Sequence, residues 1–209
     1  MPITMEPTTS IRAAVRSLSQ AALSDPNVEP ASLLATLARV TGGVPQLVTS
    51  AAPEARDGDI VVPVAAGGRQ FGFLVLRHPG RPFGEAERLL AESAAALIGA
   101  VLVRRRSAED AEDRRLVRSA RQAVASLTVA ERHGMYVLLS GWSGKPTTVR
   151  LNEAAREAGV HHSSLVQALA KLRAAGVLQA SSRGRRGVRV RVLNPHLVEE
   201  LARVEAPVH

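Results

Sequence analysis

Apolar residues recur with helical spacing over residues 11–23, where Ile11, Val15, Leu18 and Ala22 share one face. Ser24-Asp25-Pro26-Asn27 breaks that pattern, and a second short helix is predicted over 31–40, closed by Gly42-Gly43. Residues 44–49 read as a strand and 50–58 as a Pro/Asp/Gly loop. Residues 60–64 and 71–76 read as two strands joined by a Gly67-Gly68 turn, a predicted β-hairpin. A long helical stretch runs from Glu85 to Ala125. Its first half carries the apolar stripe Leu89, Leu97 and Val101, which suits either self-association or packing on the preceding sheet. Its second half is charged on every side, from Arg104-Arg105-Arg106 to Arg114-Arg115. A helix of that kind bridges domains in solvent, so a linker is expected over 104–125.

The pattern beyond the linker is again helical. Thr128 and Glu131 stand three apart, the spacing of a capping box, and open a predicted helix over 129–139. A loop over 140–146 follows, then a short helix over 151–158 stopped by Gly159, and another over about 163–175 stopped by Gly176. Residues 177–180 and 188–192 read as strands around a turn at 181–187, and 197–204 as a last helix. Helix–helix–helix–strand–turn–strand is the order of a winged helix-turn-helix. The fold class expected is α/β + α. It comprises a short α/β domain over 1–103, the linker helix over 104–125, and a winged helix-turn-helix over 126–209 with its helix pair at 151–170 and its wing at 177–192.

Composition narrows the function. The chain has no Cys, which excludes disulfide scaffolds, Cys-ligated zinc and thiol catalysis. Aromatic residues are 2%, too few for the stacking platforms of RNA-binding modules. The longest apolar run, residues 94–103, is half of the roughly 20 residues a membrane span needs. Residues 1–10 lack the basic and apolar regions of a secretory signal, so a cytoplasmic protein without membrane attachment is expected. The net charge of +8 is uneven: residues 126–209 hold 12 basic against 6 acidic residues, whereas 1–125 hold 15 against 13. A basic cluster confined to one domain points to a polyanion, and double-stranded DNA read by a helix needs no aromatics.

The candidate chemistry lies in that basic half. Leu165, Leu169 and Leu172 form a buried-type stripe, which leaves His162, Ser163, Val166, Gln167, Ala170 and Lys171 on the opposite face. Short and polar side chains there suit groove edges: Gln pairs bidentately with adenine, and Ser meets bases or phosphates. In the wing, Arg183, Arg185 and Arg186 sit on a turn with Gly184 and Gly187. Arg189 and Arg191 alternate with Val188, Val190 and Val192, so period two exposes both arginines. Arginines in such a turn suit phosphates or a narrow minor groove. The plainer readings are a solvated αα-hairpin and a hairpin edge protected by charge.

These residues resemble the CodY family. Residues 159–178, from Gly159-Val160-His161-His162-Ser163 to Gly176-Val177-Leu178, look like its recognition segment. The likeness continues through Gly184, Gly187 and Val192-Leu193-Asn194. It extends back to Ser126-Leu127-Thr128, Glu131, and to Val62-Pro63, Gly67-Gly68, Gly72, Leu74 and Leu76, which look like the end of a GAF sensor domain. The resemblance implies a homodimeric, pleiotropic repressor of metabolic genes with a GAF-like sensor domain over 1–103, responsive to GTP as a small-molecule effector. Two departures stand out. The family has Thr-Arg-Ser where this chain has His161-His162-Ser163, so an imidazole replaces a guanidinium that contacts DNA. The family's long segment before the Val-Pro strand shrinks here to Ser50–Gly58, so sensing of branched-chain amino acids is not expected.

Other signals are weak. His161 and His162 are adjacent and point about 100° apart on a helix, poor geometry for one metal. Gly144-Lys145 lacks the preceding strand, the first Gly and the Ser or Thr of a phosphate-binding loop. No catalytic pair of carboxylates is visible, so an enzyme is not expected, and no cofactor is required. The alternative reading is a non-enzymatic interaction protein whose basic half binds nucleic acid without sequence choice.

Overall fold

The computed structural model describes residues 13, 15–20, 22, 25, 28–49 and 53–205, with the backbone alone at Arg185. Ile11 and Leu23, at the ends of the first predicted helix, lie outside the described residues, as do residues 50–52 of the loop. Both sheets are antiparallel and helices accompany each, a mixed helix and sheet protein. The chain divides into two compact units, Met1–Glu109 and Asp110–His209.

In the first unit, strands β1 (Val44–Val48), β2 (Ile60–Ala66) and β3 (Arg69–Arg77) form a sheet of order β1-β3-β2. The β2–β3 hairpin turns at Gly67 and Gly68, the predicted position, with φ of 59° and 74°. Two left-handed residues give the mirror-image turn whose twist matches the strands it joins. Helix α1 (Pro30–Thr41) starts on a proline that needs no amide partner and stops at Gly42, whose N–H donates to the Ala38 carbonyl. The long helix α2 (Glu85–Ala125) begins in this unit. Ile60, Val62, Val64, Leu74 and Leu76 of the sheet pack with Leu18, Leu33 and Leu37 and with Leu90, Ala94, Ile98 and Val101 of α2. Full burial of each large side chain is worth about 1.5–3 kcal/mol. The apolar stripe of α2 therefore divides: Val101 belongs to this core, Leu97 packs against it, and Leu89 remains 53% exposed.

The second unit contains α3 (Val129–Leu139), β4 (Thr147–Val149), α4 (Leu151–Glu157), α5 (His162–Ala174), β5 (Leu178–Ser182), β6 (Val188–Val192) and α6 (Leu197–Glu205). Its sheet order is β4-β6-β5. The capping box of α3 is complete: the Thr128 hydroxyl accepts from the Glu131 N–H, and the Glu131 carboxylate accepts from the Thr128 N–H at 2.7 Å. Met135, Leu139, Leu165, Leu172, Leu178, Val190, Leu197 and Leu201 form the centre of the core. At Gly134 an added Cβ would lie 2.7 Å from Leu165 Cδ2, so α3 and α5 approach closely enough that the buried Leu165 would have to shift to admit one.

The stretch expected as a solvated linker is not solvated throughout. Ala120, Ala123 and Val124 of α2 are buried, the last two within the second core. Asn194 Nδ2 donates to the Leu116 carbonyl at 2.8 Å, His196 meets Asp113 at 2.8 Å, and Arg121 meets Glu200 at 3.3 Å. The charges around Ala120 and Ala123 hide a narrow seam of small residues, which tertiary packing covers.

Candidate nucleic-acid interface

The α4–α5 pair is built around one tight turn. Gly159 takes a left-handed φ of 63°, and the Val160 N–H donates to the Ala155 carbonyl at 2.9 Å. Ala154 and Ala155 are buried, and their small side chains let the helices cross closely. Helix α5 turns Leu165, Ala168, Leu169 and Leu172 inward. His162, Ser163, Val166, Gln167 and Ala170 are exposed together on the other face, with Val166 at 44%.

Lys171 does not join that face, contrary to expectation. It sits at the flank of α5, and its Nζ lies 2.7 Å and 3.0 Å from the two carboxylate oxygens of Glu131. Burial opposes the Glu131 charge, but the hydrogen bonds from Lys171 and from the Thr128 N–H outweigh it and hold the carboxyl below its usual range. The Lys171 ammonium is thus committed to the fold. Arg173, which the sequence pattern did not single out, is exposed instead. It stands seven residues after Val166 and so continues the same stripe. That spacing was the available signal.

The hairpin turn after β5 is tightly held. The Arg183 N–H donates to the Gly187 carbonyl at 2.8 Å, the Gly187 N–H to Gly184, and the Gly184 N–H to the Ser182 hydroxyl. Gly187 has a φ of 105°, and an added Cβ would fall 2.4 Å from the Val149 carbonyl oxygen, so only glycine fits. Arg183 and Arg186 are exposed, while the Arg185 side chain lies outside the description. In β6, Val190 and Val192 are buried and Arg189 and Arg191 exposed, as period two predicts. Register pairs Arg189 with Ser181 and Arg191 with Gln179.

Two concavities flank this hairpin. One, of about 530 Å³, is bounded by Arg150, Asn152 and Arg156, by His162 of α5, and by Ser182 and Gly184 of the hairpin. The other, of about 460 Å³, is bounded by Arg173, Arg183, Arg189 and Arg191 with Gln179 and Ser181. The structure thus places Arg189 and Arg191 around a depression that His162 does not line. Trp142 packs against the core, and its Nε1–H donates to the Lys145 carbonyl, which anchors the loop before β4. Among the described residues no group of three His, Asp or Glu is placed to hold a metal ion, and no helix is long and apolar enough to cross a membrane.

Fold and surface together define a protein of two mixed helix and sheet units, with a cationic helix-and-hairpin face on the second. No family model matches the chain. Curated relatives do match. The chain is 31% identical over 145 residues to the global transcriptional regulator CodY of Bacillus cytotoxicus, which covers 69% of this chain and 56% of that protein. It is 30% identical over the same shares to the proteins of that name from Bacillus mycoides and Bacillus cereus. Over the matched residues the chain belongs to the CodY family, which bears out the resemblance to that family. It spans little more than half the length of the curated relatives it matches.

Proposed function

We propose that the second unit is a winged helix-turn-helix that binds duplex DNA with sequence preference. The chain is then a transcriptional regulator, a CodY-like repressor of metabolic genes that carries out no enzymatic step. One observation carries this reading: the first residue of α5, His162, and the hairpin turn at Ser182, Gly184 and Gly187 bound the same concavity of about 530 Å³. A helix and a wing that open to one side suit a duplex, with the helix in the major groove and the turn over adjacent backbone or minor groove. In that pose Ser163 and Gln167 read base edges, Val166 meets thymine methyl groups, and His162, Arg183, Arg185 and Arg186 contact phosphates. Arg189 and Arg191 act from the neighbouring depression.

The first unit takes the role of a shortened GAF-like sensor that also dimerises, since a palindromic operator needs two readers. GTP is the effector that family membership favours, and branched-chain amino acids are not sensed.

Selection of bound sites from a pool of random duplexes tests the reading. A preferred site should bind the full chain about 10³-fold or more tighter than random duplex. Equal affinity for every duplex would leave only the sequence-blind alternative.

A further inference from the structure

We propose that the depression bounded by Arg173, Arg183, Arg189 and Arg191 holds a run of phosphates from one DNA strand, beside the base-reading stripe, with Arg173 as its anchor on α5. This rests on the duplex-binding reading and adds to it a site with a separate task.

Position is the first argument. Val166, Ala170 and Arg173 follow at i, i+4 and i+7, so Arg173 prolongs the exposed stripe of α5 to the edge of the depression. A strand lying along that stripe meets Arg173 next. The hairpin supplies the other wall. Alternate residues of a strand face opposite sides, so Ser182 borders the concavity shared with His162 while Ser181 borders this one. One hairpin therefore separates a side that shares α5's first residue, where Arg150 is paired with Glu153, from a side whose four arginines have no acidic neighbour.

Charge and lining define the occupant. Among the described residues none of the four guanidiniums meets a carboxylate, and no acidic side chain borders the depression. Unpaired arginines this close repel one another, and a polyanion relieves that repulsion. Apart from the arginines, the border carries only Gln179, Ser181, Pro146 and Ala180. It offers no aromatic ring on which a nucleobase could stack. Phosphate groups fit this wall and bases do not. The guanidinium fork matches phosphate oxygens in pairs, which a lysine cannot reproduce.

The experiment measures binding of the full chain to its preferred duplex and to a random duplex across a salt series. Arg173→Gln and Arg191→Gln, singly and together, should weaken both duplexes by the same factor. Each should flatten the plot of log affinity against log salt by about 0.9 for every phosphate no longer neutralised. Arg191→Lys should recover most of the slope. An unchanged slope, or a weakening confined to the preferred duplex, overturns the proposal. So does inorganic tripolyphosphate that binds saturably, depends on Arg173, and leaves DNA binding intact, because the depression is then a small-anion site. If the unsubstituted chain binds no duplex, the functional reading itself fails, an outcome distinct from duplex binding with an insensitive slope.

Discussion

Lys171 and Glu131, 40 residues apart in sequence, form a two-toothed ion pair that ties α5 to the capping box of α3. The Glu131 side chain is 3% exposed and the Lys171 side chain 40%. Lys171→Met leaves the carboxylate buried without its cation. After allowance for water at the ammonium, the expected loss of stability is about 1–3 kcal/mol. Urea unfolding measures it. DNA affinity at low denaturant should hardly change, because the ammonium is already committed. A large loss of affinity with no loss of stability would return Lys171 to the interface.

The same pair sets an acid limit. The Glu131 carboxyl titrates lower in the folded state than its ordinary 4.5. Its contribution is therefore full above that value and disappears as pH falls through the lower folded one. Glu131→Gln should flatten the acid limb of a plot of stability against pH. An unaltered limb would place the acid sensitivity elsewhere, for example at Glu200, whose buried carboxyl Arg121 and Arg203 also hold low.

His196 acts in the opposite direction. Its hydrogen bond to Asp113 raises the imidazole above its ordinary 6.5 despite some burial, with help from Glu199. The stability it gives is full below that value and is lost as pH rises through the folded value. His196→Gln should remove this loss of stability above pH 6.5, read by thermal melting at a series of pH values.

Gln167 is expected to read a base. Gln167→Ala should cost roughly 1–3 kcal/mol on the preferred site and little on random duplex. Equal losses on both would reduce it to a positioning role. Competition binding with the two duplexes separates these outcomes.

Where the second unit begins also makes a prediction. A chain starting at residue 126 lacks Ala120, Ala123 and Val124, the Leu116 carbonyl that receives Asn194, and the Arg121 partner of Glu200. It should melt well below a chain starting at residue 110. Equal melting temperatures would mean that the end of α2 contributes nothing to the core.

Much of this architecture was legible because it is local. The capping box at Thr128 and Glu131, the Gly67-Gly68 hairpin and the alternation of Val190 and Val192 with Arg189 and Arg191 each depend on residues a few positions apart. What escaped depends on distance. Strand β4 is three residues long, with a proline before it and a helix after, too short for a period to show, and it exists because β6 pairs with it. Lys171 looked free because its partner lies in another helix. Arg173 comes to border a depression only because β5 and β6 fold beside it. The charged half of α2 concealed its buried alanines for the same reason: Asn194 and Glu200, which bond to Leu116 and Arg121, lie 78 and 79 residues further along the chain.

The strand order β4-β6-β5 has a consequence for synthesis. The central strand, β6, is the last of the three to leave the ribosome, some 40 residues after β4. While the nascent chain grows, Thr147–Val149 has no partner to pair with, whereas α3, α4 and α5 already possess one another. Helical contacts close short loops and form early, and sheet contacts of long separation wait. The exposed stripe of α5 is thus shaped before the arginine turn can be locked by Gly187 against Val149. A nascent chain that has emerged only as far as residue 185 would hold α5 without the locked turn.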